Sequence, residues 1–133
     1  MTINLIRSDT LYKGVPYAYA AVAPPGSLVF TAGACPLDDK GEVVGAGDVR
    51  AQASLAVANL STTLAESGAT LADVLKTTIF VASSEQADLV AAWQVIDEAF
   101  GDHDPPSTLL GVTVLGYSGQ LVEIEAVAVI AEG

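Results

Sequence analysis

Two stretches with the period of a helix, 48–67 and 84–100, stand among six short apolar stretches rich in β-branched residues, and this order most restricts the fold. The first helical stretch places Val49, Ala53, Ala56, Val57, Leu60 and Leu64 on one stripe, with Asp48 able to cap its start and Gly68 its end. In the second, Leu89, Trp93, Ile96 and Phe100 form the stripe, Ser83 and Gln86 have capping-box spacing, and Gly101 is the natural stop. The remaining apolar stretches, 3–7, 17–23, 28–32, 74–82, 109–115 and 121–131, read as strands. Pro24-Pro25-Gly26 carries hairpin chemistry between two of them, and Asp38-Asp39-Lys40-Gly41 makes a turn before Glu42-Val43-Val44. The order predicts an α+β fold: one sheet, both helices on one of its faces, and an apolar second face left uncovered.

Composition bears on that uncovered face. A chain of 133 residues fits one domain, 1–133, yet 51% of it is hydrophobic and only 16% charged. That is more apolar material than so small a domain buries alone, and oligomerisation is the expected outlet. The formal net charge is −11, and the five basic residues, Arg7, Lys13, Lys40, Arg50 and Lys76, are scattered. Without a basic patch to neutralise phosphates, neither nucleic acid nor an anionic membrane is an expected partner. The lone Cys35 cannot form an intrachain disulfide, no run is long enough to span a membrane, and the first residues lack a signal-peptide pattern. A cytoplasmic protein is expected.

Few side chains carry chemistry by themselves. Glu123 and Glu125 lie two apart on a strand, so they share a face at a separation of roughly 7 Å. That spacing suits general acid and base work, although two carboxylates on a hydrophobic strand also serve as gatekeepers against aggregation. Tyr17 reads as a proton or hydrogen-bond donor or as an interface tyrosine, and Trp93 as core or as cleft lining. Cys35 has no evident base or cation to activate it and reads as a buried apolar cysteine. His103, between acids at a helix end, is accounted for by those acids and the helix C-terminus, with proton shuttling as the other reading. One His and one Cys make no zinc site, the acidic clusters lack calcium-loop spacing, and Arg50 stands where a dinucleotide fingerprint needs glycine. No metal and no cofactor is expected.

The segment Leu121-Val122-Glu123-Ile124-Glu125-Ala126-Val127-Ala128-Val129 resembles the last strand of the Rid family, the reactive-intermediate deaminases also called YjgF proteins. The resemblance spans 14–131. Gly14-Val15-Pro16-Tyr17 is similar to the family's Gly-Pro-Tyr element with one residue inserted. Leu28-Val29-Phe30-Thr31-Ala32-Gly33-Ala34-Cys35-Pro36-Leu37 is similar to its strand ending in Ser-Gly-Gln-Ile-Pro, with Ala32 and Ala34 replacing the serine and glutamine. Gly47-Asp48-Val49-Arg50-Ala51-Gln52, Asn59-Leu60, Gly68 and Val74-Leu75-Lys76-Thr77-Thr78 follow in family order. The resemblance implies a chorismate-mutase-like fold and a homotrimer with clefts between subunits. It also implies that Glu123 helps to place the attacking water and that Tyr17 lines the cleft.

Thr108 falls where the family's arginine grips the carboxylate of a 2-imino acid, Leu110 where a backbone carbonyl orients the water, and Trp93 where an asparagine often sits. Gly33 and Cys35 join these three as expected substrate-binding positions. A guanidinium holds a carboxylate by two charged hydrogen bonds, each contributing roughly 1.5–3 kcal/mol, whereas threonine offers one neutral hydroxyl. The expected activity is therefore cofactor-independent hydrolysis of a reactive enamine or imine other than a 2-imino acid, with Glu123 and Tyr17 catalytic. The acidic balance argues against the ribonuclease label attached to some Rid-like proteins. A non-catalytic trimer that binds a small metabolite, and a biosynthetic enzyme performing proton transfer or cyclisation in the same cleft, remain the alternatives.

Overall fold

Alternation along the last strand decides which way the sheet faces. The computed structural model describes residues 2–133, and its strand β6 runs Val122–Ala131. Val122, Ile124, Ala126 and Ala128 are buried, whereas Glu123 and Val127 between them are half-buried and Glu125 is exposed. The other elements are β1 (Asn4–Ile6), β2 (Ala20–Val22), β3 (Gly26–Phe30), α1 (Val49–Glu66), a 3₁₀ turn (Leu71–Asp73), β4 (Val74–Val81), α2 (Gln86–Phe100) and β5 (Ser107–Gly111). Four strands form a mixed sheet in the order β3-β6-β4-β5, with β4 and β5 parallel and the other pairs antiparallel. Both helices cover the side toward which Val122 and Ile124 point, and Leu60, Leu64, Ile79, Ile96 and Ile124 meet there in the core.

Local chemistry sets the helix ends. The Asp48 carboxylate accepts from Ala51 N at 3.0 Å, giving a free N–H of the first turn a partner. Gly68, at φ 93°, turns the chain out of α1, and Ala69 N returns to Leu64 O at 2.8 Å. Gly101, at φ 64°, ends α2. The expected capping box at Ser83 does not form: Glu85 is the N-cap, and the Ser83 hydroxyl donates to Asp88 at 2.7 Å and accepts from Glu85 N. Ser83 lies two residues too early, so its hydroxyl orders the connection before the helix.

Two strand expectations also change. The single sheet becomes two hydrogen-bonded sets, because β1 and β2 pair only with each other. Pro24-Pro25-Gly26 accordingly does not close a hairpin but passes the chain from that ribbon to the β6 edge. The prolines have no N–H for continued pairing, and Gly26 packs so closely on Ile130 and Ala131 that a Cβ would lie 2.9 Å from Ala131 Cα. Strand β5 stops at Gly111, short of the expected 115, where its partner β4 ends at Val81; the chain then passes so close to the loop before α2 that a Cβ on residue 111 would come within 2.8 Å of Ser83 O. The face away from the helices is bare: Leu28 is 53% and Phe30 73% exposed on it.

Candidate functional site

Glu123 sits on the bare face of a central strand, and its carboxylate is held at one oxygen. Cys35 Sγ donates to Oε1 at 3.3 Å, and Gln120 Nε2 donates to the same atom at 3.1 Å. Oε2 turns toward Gly33, where a Cβ would collide with it and lie 2.5 Å from Glu123 Cδ. Only a residue without a side chain leaves the carboxylate this position. The thiol of Cys35 is pushed up to about 11 by its burial first, then by its hydrogen bond to Glu123 and the charge of that group. It is therefore a protonated donor at neutral pH and not a nucleophile. The structure corrects the expectation that Cys35 has no partner, since Glu123 is 88 residues away in sequence but in contact with it.

The second cluster lies at the sheet edge. A cavity of about 430 Å³ is lined by Pro16, Tyr17, Val90, Trp93, Ser107, Thr108 and Leu109. Tyr17 meets Trp93 edge-on, with ring centroids 6.3 Å apart, and Trp93 lines this cavity while also packing against the core. Lys76 Nζ donates to Thr108 Oγ1 at 2.6 Å. Beside the neutral hydroxyl expected at Thr108, a lysine thus reaches the position from the neighbouring strand, which the chain alone did not indicate.

Strand register relates the two clusters. Glu123 lies opposite Phe80, and Phe80 opposite Leu110; one pleat along, Glu125 lies opposite Thr78, and Thr78 opposite Thr108. From strand and residue spacings, Glu123 and Thr108 are about 12 Å apart at their Cα positions, with Thr78 and Phe80 between them. Within one chain Glu123, Cys35 and Gly33 are brought together, and so are Tyr17, Trp93 and Thr108, while Leu110 is 43% exposed in the row of Glu123. His103 joins neither group: its Nε2 lies 2.7 Å from Val74 O, and its ring packs by Phe100. Glu125 is exposed and apart from the donors that hold Glu123. Among the described residues no group of three or more His, Cys, Asp or Glu could hold a metal ion, and no helix is long and apolar enough to cross a membrane.

Four residues of the site were not anticipated as such. Gln120, Gln52 and Asn59 are polar side chains without a signature of their own, and Lys76 is one of five scattered cations. Only the spacing of Gln52 and Asn59, two helical turns apart on α1, could have pointed to a shared polar role on one side of that helix.

Comparison with known proteins places the chain in a family. The family model described as Endoribonuclease L-PSP matches residues 9–130. The chain is 33% identical to Protein DfrA of Myxococcus xanthus over 130 residues, covering 97% of each chain. It is 33% identical to the 2-iminobutanoate/2-iminopropanoate deaminase of Salmonella typhimurium over 107 residues, covering 78% of this chain and 80% of that one. The solved structure of YyfB, a Rid protein of unknown function from Yersinia pestis, superposes with a TM-score of 0.91 at 32% identity, over 98% of this chain and all of the other. With this family match over most of its length and its two helices on a mixed sheet, the chain belongs to the Rid/YjgF family.

Proposed function

We propose that the protein hydrolyses a reactive imine or enamine without a cofactor, using Glu123 to activate water or to protonate the enamine carbon. The supporting observation is the carboxylate of Glu123, which has one oxygen held by two donors and the other turned toward Gly33, where the missing side chain leaves room for it. Hydrolysis of a C=N bond needs a protonation and a placed water, and a fixed carboxylate beside a sheet face serves both. Tyr17 would hold the polar end of the substrate.

The substrate class follows from the edge cluster. Thr108 and Lys76 offer a hydroxyl and a single compact ammonium in place of a guanidinium fork, so a 2-imino acid is gripped weakly and without bidentate geometry. The apolar cavity beside Trp93 and Leu109 supports a substrate with a larger apolar body. The reading includes a homotrimer of this one-domain chain, which would cover the exposed Leu28 and Phe30 and set a cleft at the subunit boundary.

A semicarbazide-competition assay, with carboxylated and carboxylate-free imines generated in place by an oxidase, tests the proposal. The natural chain should speed loss of the bulky carboxylate-free imine most, and Glu123→Gln should abolish that effect without lowering the melting temperature. Turnover unchanged by Glu123→Gln overturns the assignment. If the natural chain accelerates nothing and Thr108→Arg creates activity, the cleft is a binding site on an intact scaffold.

A further inference from the structure

The carboxylate of Glu123 is oriented by a relay of amides that begins inside the molecule. Gln52, fully buried on α1, donates through Nε2 to Gly119 O at 3.0 Å and Gly45 O at 3.2 Å and accepts from Leu121 N at 2.6 Å. These bonds clamp the backbone on both sides of Gln120. Gln120, 3% exposed, accepts from Tyr117 N at 3.2 Å and donates to Val122 O and Glu123 Oε1, both at 3.1 Å. The backbone partners determine which end of each amide is oxygen, so the NH₂ group of Gln120 faces the carboxylate. Seven residues along the same helix, Asn59 donates to Cys35 O at 2.9 Å and Leu37 O at 3.1 Å, holding the strand end that carries the second donor to Oε1.

Both donors converge on one oxygen although four lone-pair positions are available on the carboxylate. We infer that Gln120, anchored by Gln52, is a positioning residue that commits Oε1 of Glu123 to the protein and leaves Oε2 as the oxygen that handles the proton. This rests on the reading of Glu123 as the catalytic carboxylate. Buried polar groups left unpaired cost free energy; here both glutamines are satisfied, and the loop 116–120 is tied to the helix layer by hydrogen bonds, not by packing alone. A carboxylate misplaced by about 1 Å loses on the order of 100-fold in rate, so release of Glu123 should show in kcat.

The test uses Gln120→Met, similar in length but without donors, beside Gln52→Glu, which keeps the acceptor for Leu121 N and loses both donations. Turnover of the best imine is measured together with alkylation of Cys35 by iodoacetamide, which reports on the same network without requiring activity. Expected are kcat lowered by about 10- to 100-fold with little change in KM, slower alkylation in Gln120→Met because a donor favouring the thiolate is gone, and no added loss of the residual turnover when Gln120→Met is combined with Glu123→Gln. Gln120→Met with natural kcat, while Glu123→Gln is inactive, overturns the positioning role alone. An equal loss in both backgrounds also overturns it, because the effect then does not pass through Glu123. Natural turnover in Glu123→Gln instead overturns the catalytic reading, and the alkylation rates still report whether Gln120 acts on the Cys35 thiol beside that carboxylate. Should Gln120→Met fail to fold, natural kcat in Gln52→Glu overturns the inference.

Discussion

Replacing Gly33 by alanine separates activity from stability at this site. Gly33 does not have positive φ, so alanine fits its backbone, and the loss of chain freedom in the unfolded state stabilises by about 0.4–1 kcal/mol. The new methyl carbon, however, would stand 2.5 Å from Glu123 Cδ and 2.8 Å from Cγ, whereas ordinary contact begins at 3.4 Å. Closing that gap moves the carboxylate by about 1 Å or more and draws Oε1 away from Cys35 and Gln120. A shift of that size costs on the order of 100-fold in kcat/KM, equivalent to about 2.7 kcal/mol of barrier. The assay is imine loss in semicarbazide competition, paired with thermal unfolding of the same sample. Expected is a protein that still folds and melts close to the natural temperature, because the bonds lost at Glu123 offset the entropic gain, and that has lost nearly all turnover. Undiminished kcat/KM in Gly33→Ala would refute the claim that the position of Glu123 depends on the empty space at residue 33.

Other outcomes follow from the same structure. Cys35, pushed up to about 11 from 9.0, carries about 100-fold less thiolate at pH 8 than an ordinary cysteine, so its alkylation should be correspondingly slow. Glu123→Gln should lower the pH at which alkylation becomes fast; an unaltered pH profile would dissociate the thiol from the carboxylate. Asp97 is raised first by burial and then by Asp104. A carboxyl raised in the folded state contributes stability that is present below its unfolded value of 3.8 and lost as pH rises through the folded one. Asp97→Asn should thus raise the denaturation midpoint at neutral pH and leave it unchanged well below pH 3.8. Phe30→Glu, at a side chain 73% exposed on the bare face, should convert the assembly to monomers by size-exclusion light scattering; a natural chain already monomeric refutes the assembly.

Much of the architecture was legible in the sequence because its signals are local. Asp48, Gly68 and Gly101 act within one helical turn of themselves, and each ends its helix as its residue type predicts. Alternation along β6 likewise assigned Glu123 to the face opposite Ile124 before any contact was known. Local reasoning failed where a neighbour in space competed. Ser83 turned to Asp88 and the backbone of Glu85, the strand after Pro25 joined β6 and not β2, and β5 ended with its partner β4 at Val81. The edge cluster was visible only in part: Thr108 and Trp93 were read from the chain, but the ammonium at Thr108 comes from Lys76, 32 residues earlier.

By itself, then, the amino-acid sequence determined the helices, the strands, the α+β class and the placing of Glu123 and Glu125 on one face of the last strand, because these depend on periodicity and on residues within a few positions of one another. Only the tertiary structure decided what the carboxylate of Glu123 is. Cys35 and Gln120 meet at a single oxygen, Gly33 leaves space for the other, and Gln52 holds the loop from the far side. Hydrogen bonds between residues 67 to 88 positions apart leave no periodic trace in a chain. They come into being only when the sheet and its helix layer have closed around them.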